Sequence, residues 1–268
     1  MPQTINTNIQ SLNAQRNLGA SQASLGTSMQ RLSSGLRVNS SKDDAAGLAI
    51  ATRMDAQYRG INVAIRNAND GISMAQTAEG ALATVSEILQ RMRELSVQAQ
   101  NGTNGTTDRA NLDTEYQQLS SEITRLAAQT KFNGTAIIGA SSGAQVFQVG
   151  PNNGETLTVT TSTVTTVGGS LTTSANASTA LAAIDAQIDL ITTRRADFGA
   201  TINRFGFAIS SLSIAGENQA AAKGRIMDAD FAMETANLSR AQILQQAGNA
   251  MVAQANQMPQ QVMALLRN

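Results

Sequence analysis

The chain has 268 residues, with 19 Lys and Arg against 19 Asp and Glu, so it carries no net charge and offers no broad basic surface for nucleic acid. It contains neither Cys nor His, which excludes disulfides, thiolate and imidazole metal sites, and Ser–His or Cys–His nucleophiles. No enzymatic activity and no cofactor are expected. Aromatic residues make up 3% and Trp is absent, so Ala, Leu, Ile and Met must do the packing, which suits thin helical bundles better than a large globular core.

From the N-terminus, Ile5, Ile9, Leu12, Leu18, Leu25, Met29, Leu32 and Leu36 form a weak apolar seam separated by Gln, Asn and Ser. Such a helix buries little by itself and is marginal in water, so it is expected to order only on assembly. The first ten residues lack the cationic-then-apolar pattern of a secretory signal, and no run of ~20 apolar residues is present to span a membrane. Ser33–Ser41 (SSGLRVNSS) reads as a loop. Ser41 is the expected N-cap of the next helix, with Asp43 and Asp44 as capping charge.

A heptad seam then runs from Ala45 to Ala99 through Ile50, Met54, Ile61, Ile65, Ala68, Ile72, Ala75, Leu82, Val85, Leu89, Met92 and Ala99, with no Pro to interrupt it. At ~1.5 Å per residue this is a rod of roughly 80 Å, which needs partner helices of similar length. Gly60, Gly71 and Gly80 lie inside it. Each costs about 1 kcal/mol relative to Ala, and all three are read as points of close packing.

The turn-rich Asn101–Gly105 link leads to a shorter seam, Leu112, Tyr116, Leu119, Ile123 and Leu126, expected to run antiparallel to the first. Asn133–Gly134 opens the non-helical part. Ala144–Val149 and Thr156–Thr161 flank the turn Pro151–Gly154 as one hairpin, followed by a Thr- and Ser-rich extension to Ala177. The seam returns at Leu181, Ile184, Ile188, Ile191, Phe198, Ile202, Phe205, Ile209 and Leu212, with Arg195 at one apolar position. After a break at Gly224–Asp230 the last seam is Ala241, Leu244, Gly248, Met251, Ala255, Met258, Val262 and Leu265, and Pro259 is expected to bend or stop it.

The fold class expected is mainly α: long antiparallel helical rods in a coiled-coil bundle with one small β-hairpin region. Weak helix, break, rod, hairpin, rod, break and weak helix follow in mirror order, so domains are built from both chain ends. Residues 1–43 with 228–268 are expected as a terminal coiled coil. Residues 44–227 are expected as a core bundle, with 133–177 as hairpin and surface region.

Six segments, INTNIQSLNAQRNL, RLSSGLRVNSSKDDAAGLAI, NDGISMAQTAEGAL, LQRMRELSVQAQNGT, QTKFNG and QVMALLRN, resemble bacterial flagellin, and the resemblance covers nearly all of the chain outside residues 140–178. It implies a short form without large outer domains, polymerising with itself into the extracellular flagellar filament for motility. It further implies export by the flagellar type III apparatus and dealings with an export chaperone, the flagellar cap and hook-junction proteins. The seam carrying assembly would be Ile5, Ile9, Leu12, Leu25, Leu32, Leu244, Met251, Met258, Val262 and Leu265. The resemblance also implies recognition by a host flagellin-sensing Toll-like receptor, its motif falling on Gln90, Arg91, Leu95 and Glu115, with Leu95 as an apolar anchor, and the same surface would face a neighbouring subunit in the filament. A cytosolic immune receptor would meet Leu265 and Leu266, although Met263 departs from the Leu-rich pattern. The alternatives are a hook–filament junction protein and a generic coiled-coil scaffold.

Overall fold

The computed structural model describes residues 7–139, 142–161 and 163–266, the side chains from 259 onward excepted. Five long helices, α1 (Ile9–Ser34), α2 (Ala45–Gln100), α3 (Thr106–Gln129), α4 (Ser174–Met227) and α5 (Phe231–Leu266), carry two small antiparallel hairpins between α3 and α4. These are β1 (Lys131–Phe132) with β2 (Thr135–Ala136), and β3 (Gln145–Gln148) with β4 (Thr156–Val159). The fold is mainly helical, as the seams require. No described helix is long and apolar enough to cross a membrane. The chain forms two compact units, Gln57–Asn218 and the joined ends Met1–Ala56 with Gln219–Asn268. These divide within α2 and α4, whereas the sequence reading draws its line at the helix breaks.

In the unit Gln57–Asn218, α2 and α4 run antiparallel. Polar contacts record the register: Ser174 with Gln100, Asp185 with Arg93, and Arg195 with Glu79. Helix α3 runs back along α2, with Arg109 donating to Ala99 O and Arg91 paired with Glu115. The apolar faces close on one core, in which Leu82, Val85, Leu89, Met92 and Leu95 meet Tyr116 and Ile123 of α3 and Ile184, Ile191, Phe198 and Phe205 of α4.

A lone hairpin is marginal in water, so the hairpins must lean on the helices. Phe147 of β3 meets Phe205 edge-on at 5.7 Å, Asn67 Nδ2 donates to Gln148 O at 3.0 Å, and the turn residue Pro151 lies against Gly60. The first hairpin is missed by the sequence reading, which expects one. Its signal is Asn133–Gly134: both residues take positive φ, 47° and 81°, as a type I′ turn requires. The Thr-rich segment 163–173 is a strap bound to the helices. Val164, Val167 and Leu171 are buried, and Ser120 Oγ, Gln117 Nε2 and Gln187 Nε2 donate to the carbonyls of Val167, Gly169 and Thr165.

In the unit of the joined ends, the two helix breaks close on each other as a clasp. Arg37 N donates to Met227 O at 2.7 Å and Ala229 N to Gly35 O at 2.9 Å, over the buried Val38. Gly35 ends α1 with φ 71°, a left-handed value that glycine adopts without a Cβ penalty. Asp230 caps α5 by accepting from Ala232 N and Met233 N.

Helix α2 begins later than Ser41 suggests. Its side-chain cap is Asp44, which accepts from Gly47 N at 2.7 Å, while Asp43 ties the preceding loop by accepting from Asn39 N and Ser40 N. Those backbone donors, Ser40 foremost, hold the Asp43 carboxyl below its ordinary range. Helix α4 is longer at both ends than its apolar seam, and α5 continues through Pro259 to Leu266 where a stop was one expectation.

The three glycines of α2 separate. A Cβ at Gly71 would stand 2.6 Å from the Phe205 ring and one at Gly60 would stand 2.9 Å from Pro151 Cβ, but one at Gly80 would meet nothing within 4 Å. Close packing therefore explains Gly60 and Gly71 and does not explain Gly80. Gly71→Ala should lower the thermal midpoint, because the buried ring has nowhere to move. Gly80→Ala should raise stability by about 0.5–1 kcal/mol through helix propensity alone, both read by calorimetry of the full chain.

Candidate assembly interface

Helices α1 and α5 pair antiparallel, and their shared interior is small and polar. Ser11 and Ser28 are buried on α1, and Ala241 and Ala255 on α5. Ser11 Oγ hydrogen-bonds Asn256 Oδ1 at 2.7 Å, and a Cβ at Gly248 would stand 3.1 Å from Leu18 Cδ1. Among the described residues the one buried charge is Glu234, with Arg31 Nη1 3.9 Å away, and Arg31 Nε has no partner among them.

Many of the large apolar residues point the other way. Ile9, Leu12 and Met29 on α1 and Ile243, Leu244, Met251 and Met258 on α5 are all exposed, Ile9 by 67% and Met251 by 61%. Leu25 and Leu32 are half-buried. Ile5 lies outside the described residues, and the side chains of Val262, Leu265 and Leu266 lie outside the described side chains.

One polar residue joins the two helices in register. Pro259 has no N–H, so the carbonyl of Ala255, four residues earlier, loses its helical partner. Asn8 Nδ2 donates to Ala255 O at 2.7 Å, while Asn8 Oδ1 accepts from Ser11 N as the N-cap of α1. The sequence signal was present: a proline inside an apolar seam announces an orphaned carbonyl one turn back.

On the α2–α3 surface, Gln90 is exposed, and Arg91 bonds Glu115 through Nε and Glu94 through Nη1, both at 2.9 Å. The carboxylate of Glu115 raises the Arg91 guanidinium still further above its already high range. Leu95 departs from the expectation. It is 1% exposed, in the core between α2, α3 and α4, because it falls on the inward face of α2. The exposed apolar residue on this surface is Val97.

A family model described as the bacterial flagellin N-terminal helical region matches residues 5–143, and one described as the bacterial flagellin C-terminal helical region matches residues 181–266. The chain belongs to the bacterial flagellin family. Flagellin of Halalkalibacterium halodurans is 45% identical over 270 residues, covering 98% of this chain and 99% of that protein. Flagellin 1 of Proteus mirabilis is 37% identical over an alignment of 365 residues that covers all of both. The crystal structure of Bacillus cereus flagellin superposes with a TM-score of 0.52 at 35% identity, covering 59% of this chain and 94% of that one. Flagellins are the structural subunits of the extracellular filament that serves motility, and they associate with their own kind.

Replacing Asn8 by Ala should leave the Ala255 carbonyl unsatisfied and destabilise the α1–α5 pair by about 1–3 kcal/mol. Pro259→Ala restores an N–H to that carbonyl, so the Asn8→Ala penalty should shrink in its background. Melting of assembled protein carrying each single and the double substitution gives the coupling.

Proposed function

We propose that this flagellin polymerises through the outward apolar faces of α1 and α5, which neighbouring copies cover. The observation that carries the reading is the inverted pair: Ile9, Leu12, Leu244, Met251 and Met258 stand exposed, while the fully buried positions are Ser11, Ser28, Glu234, Ala241 and Ala255. Half-burying each such side chain contributes about 1 kcal/mol, and about 1.4 kcal/mol is a tenfold change in association. A contact of this kind between unlike patches does not close on itself and propagates as an open helical filament. The same weakness in the free chain suits passage through the flagellar type III export apparatus, as does the lack of Cys. Before assembly the exposed faces are the surface for an export chaperone, and at the filament ends for the cap and the hook-junction proteins.

In the free subunit, amides of α1 and α5 should exchange with solvent far faster than those around Leu82–Leu95, and should become protected in filaments. Equal protection in the free subunit would count against the reading. A core-only chain, residues 45–224, should stay folded and form no filaments.

We also propose that the free subunit offers the surface of Gln90, Arg91 and Glu115 to a host flagellin-sensing Toll-like receptor, and Leu265 and Leu266 to a cytosolic immune receptor. The exposed Arg91–Glu94–Glu115 cluster supplies charged hydrogen-bonding groups, and Val97 takes the place expected of Leu95 as the apolar contact. Arg91→Ala should weaken Toll-like receptor signalling by at least tenfold while leaving the melting profile unchanged. Leu95→Ala would act differently, costing about 2–5 kcal/mol of fold stability.

A further inference from the structure

The chain has no Cys, His or Trp, so the side chain most readily taken by a two-electron oxidant is the methionine thioether, of which there are ten. Met1 and the side chain of Met263 lie outside the described residues. The others divide by place. Met74 and Met92, the two of the unit Gln57–Asn218, are buried, with 3% and 0% exposure. Met54 and Met227 are half-buried. Met29 on α1 and Met233, Met251 and Met258 on α5 are exposed, by 58%, 64%, 61% and 48%. On α5 they are aligned. At about 100° per residue, Met251 returns to the bearing of Met233 after five turns, and Leu244 and Met258 fall within about 20° of it. Met233, Leu244, Met251 and Met258 therefore form one exposed stripe. Among the described residues of the core bundle, from Tyr58 to Ile214, no exposed large apolar side chain carries sulfur. Leu would fill the Met positions at nearly the same volume, so packing alone does not call for sulfur there. What Met adds is a polarisable, oxidisable atom.

We propose that Met29, Met233, Met251 and Met258 are a redox-modification site through which peroxides control assembly of the free subunit. The reaction is oxygen transfer. A sulfur lone pair attacks one oxygen of hydrogen peroxide, the S–O bond forms as the O–O bond breaks, and the second oxygen leaves as water after proton transfer. The thioether is oxidised by two electrons and the peroxide is reduced by two. The product sulfoxide is polar and accepts hydrogen bonds. On an exposed face it is hydrated at no cost to the fold, whereas burial against a neighbouring copy strips that water away. The oxidised subunit therefore keeps its core bundle and loses affinity for the filament. The proposal rests on the filament reading above, because only assembly buries the stripe. Placement supplies the selectivity: Met74 and Met92, which fill the core, are out of reach of the oxidant, and the thioethers of the assembly face are not. A methionine sulfoxide reductase returns each sulfoxide to thioether, so the control is reversible.

The test treats the full-length free subunit with dilute hydrogen peroxide and locates sulfoxides by peptide mass. Met29, Met233, Met251 and Met258 should oxidise at least tenfold faster than Met74 and Met92, and melting of the core bundle should not move. The free-subunit concentration at which seeded filaments stop growing should rise at least tenfold. It should return to within about twofold after treatment with reductases for both sulfoxide epimers. A chain carrying Met29→Leu, Met233→Leu, Met251→Leu and Met258→Leu together keeps the other methionines. It is compared with itself before and after peroxide, so any change in its own assembly cancels, and its ratio should stay within about twofold. Growth of the oxidised subunit at the untreated concentration, a loss that persists after reduction, or equal oxidation of Met74 and Met92 overturns the proposal. A lowered core melting point or equal inhibition of the four-Leu chain does so too. If the untreated subunit forms no filament, the filament reading falls and this proposal with it, whereas assembly indifferent to peroxide removes this one alone.

Discussion

Small residues along one stripe let two helices approach closely but leave little apolar area to bury between them, and α1 and α5 are such a pair. Gly248 lies against Leu18, and the interior is completed by Ser11, Ser28, Ala241 and Ala255. Leu18, Leu25 and Leu32 stay half-buried along the pair, whereas Ile9, Leu12, Met29, Ile243, Leu244, Met251 and Met258 turn outward. The close approach is also what lets Asn8 reach the carbonyl that Pro259 leaves open. Register, polarity of the interior and exposure of the apolar face all follow from the choice of small residues along one stripe of each helix. Ala and Ser give up little apolar area on pairing, so the pair alone is weakly held.

The bundle of Gln57–Asn218 solves the opposite problem. Its interior is filled by Leu, Ile, Met and Phe, each contributing about 1.5–3 kcal/mol when fully buried, so burial decides its stability. The ion pairs along its outside, Arg93–Asp185, Arg195–Glu79 and Arg91–Glu115, are solvent-exposed to a large degree and cannot compete with that sum. They act on alignment instead. A slip of α4 along α2 by one turn would part each cation from its acid while keeping an apolar seam facing an apolar seam. The heptad pattern alone tolerates such slips, and the charges discriminate among them.

Heptad spacing made the rods legible: α2 begins at Ala45 as its seam does, and Asn101–Gly105 separates it from α3. Periodicity says which face is apolar, but not what covers it. Leu89 and Leu244 sit on equally regular seams, yet one is buried by its own chain and the other stands in solvent. Local chemistry was legible only where it is unique. The Gly224–Asp230 break ends in the cap of α5, Asp230, whereas Ser41, Asp43 and Asp44 stand close together in sequence and only Asp44 caps α2. Gly71 and Gly80 look alike in sequence because the ring that distinguishes them arrives from α4, far along the chain.

The segment between the two family-model matches is held in a way that frees its sequence. The strap is bound mostly by side chains of the helices reaching to its backbone carbonyls: Ser120 to Val167, Gln117 to Gly169 and Gln187 to Thr165. Carbonyls are present whatever residue carries them, so only Val164, Val167 and Leu171 are tied to their identity by burial. The anchoring groups belong to α3 and α4, which the core bundle keeps for its own reasons. Closing a longer segment between the same anchors adds only about 0.6 kcal/mol for each doubling of length. The part of this flagellin that the family patterns leave unmatched is therefore the part where length and sequence can change at least cost to the helices of the core bundle.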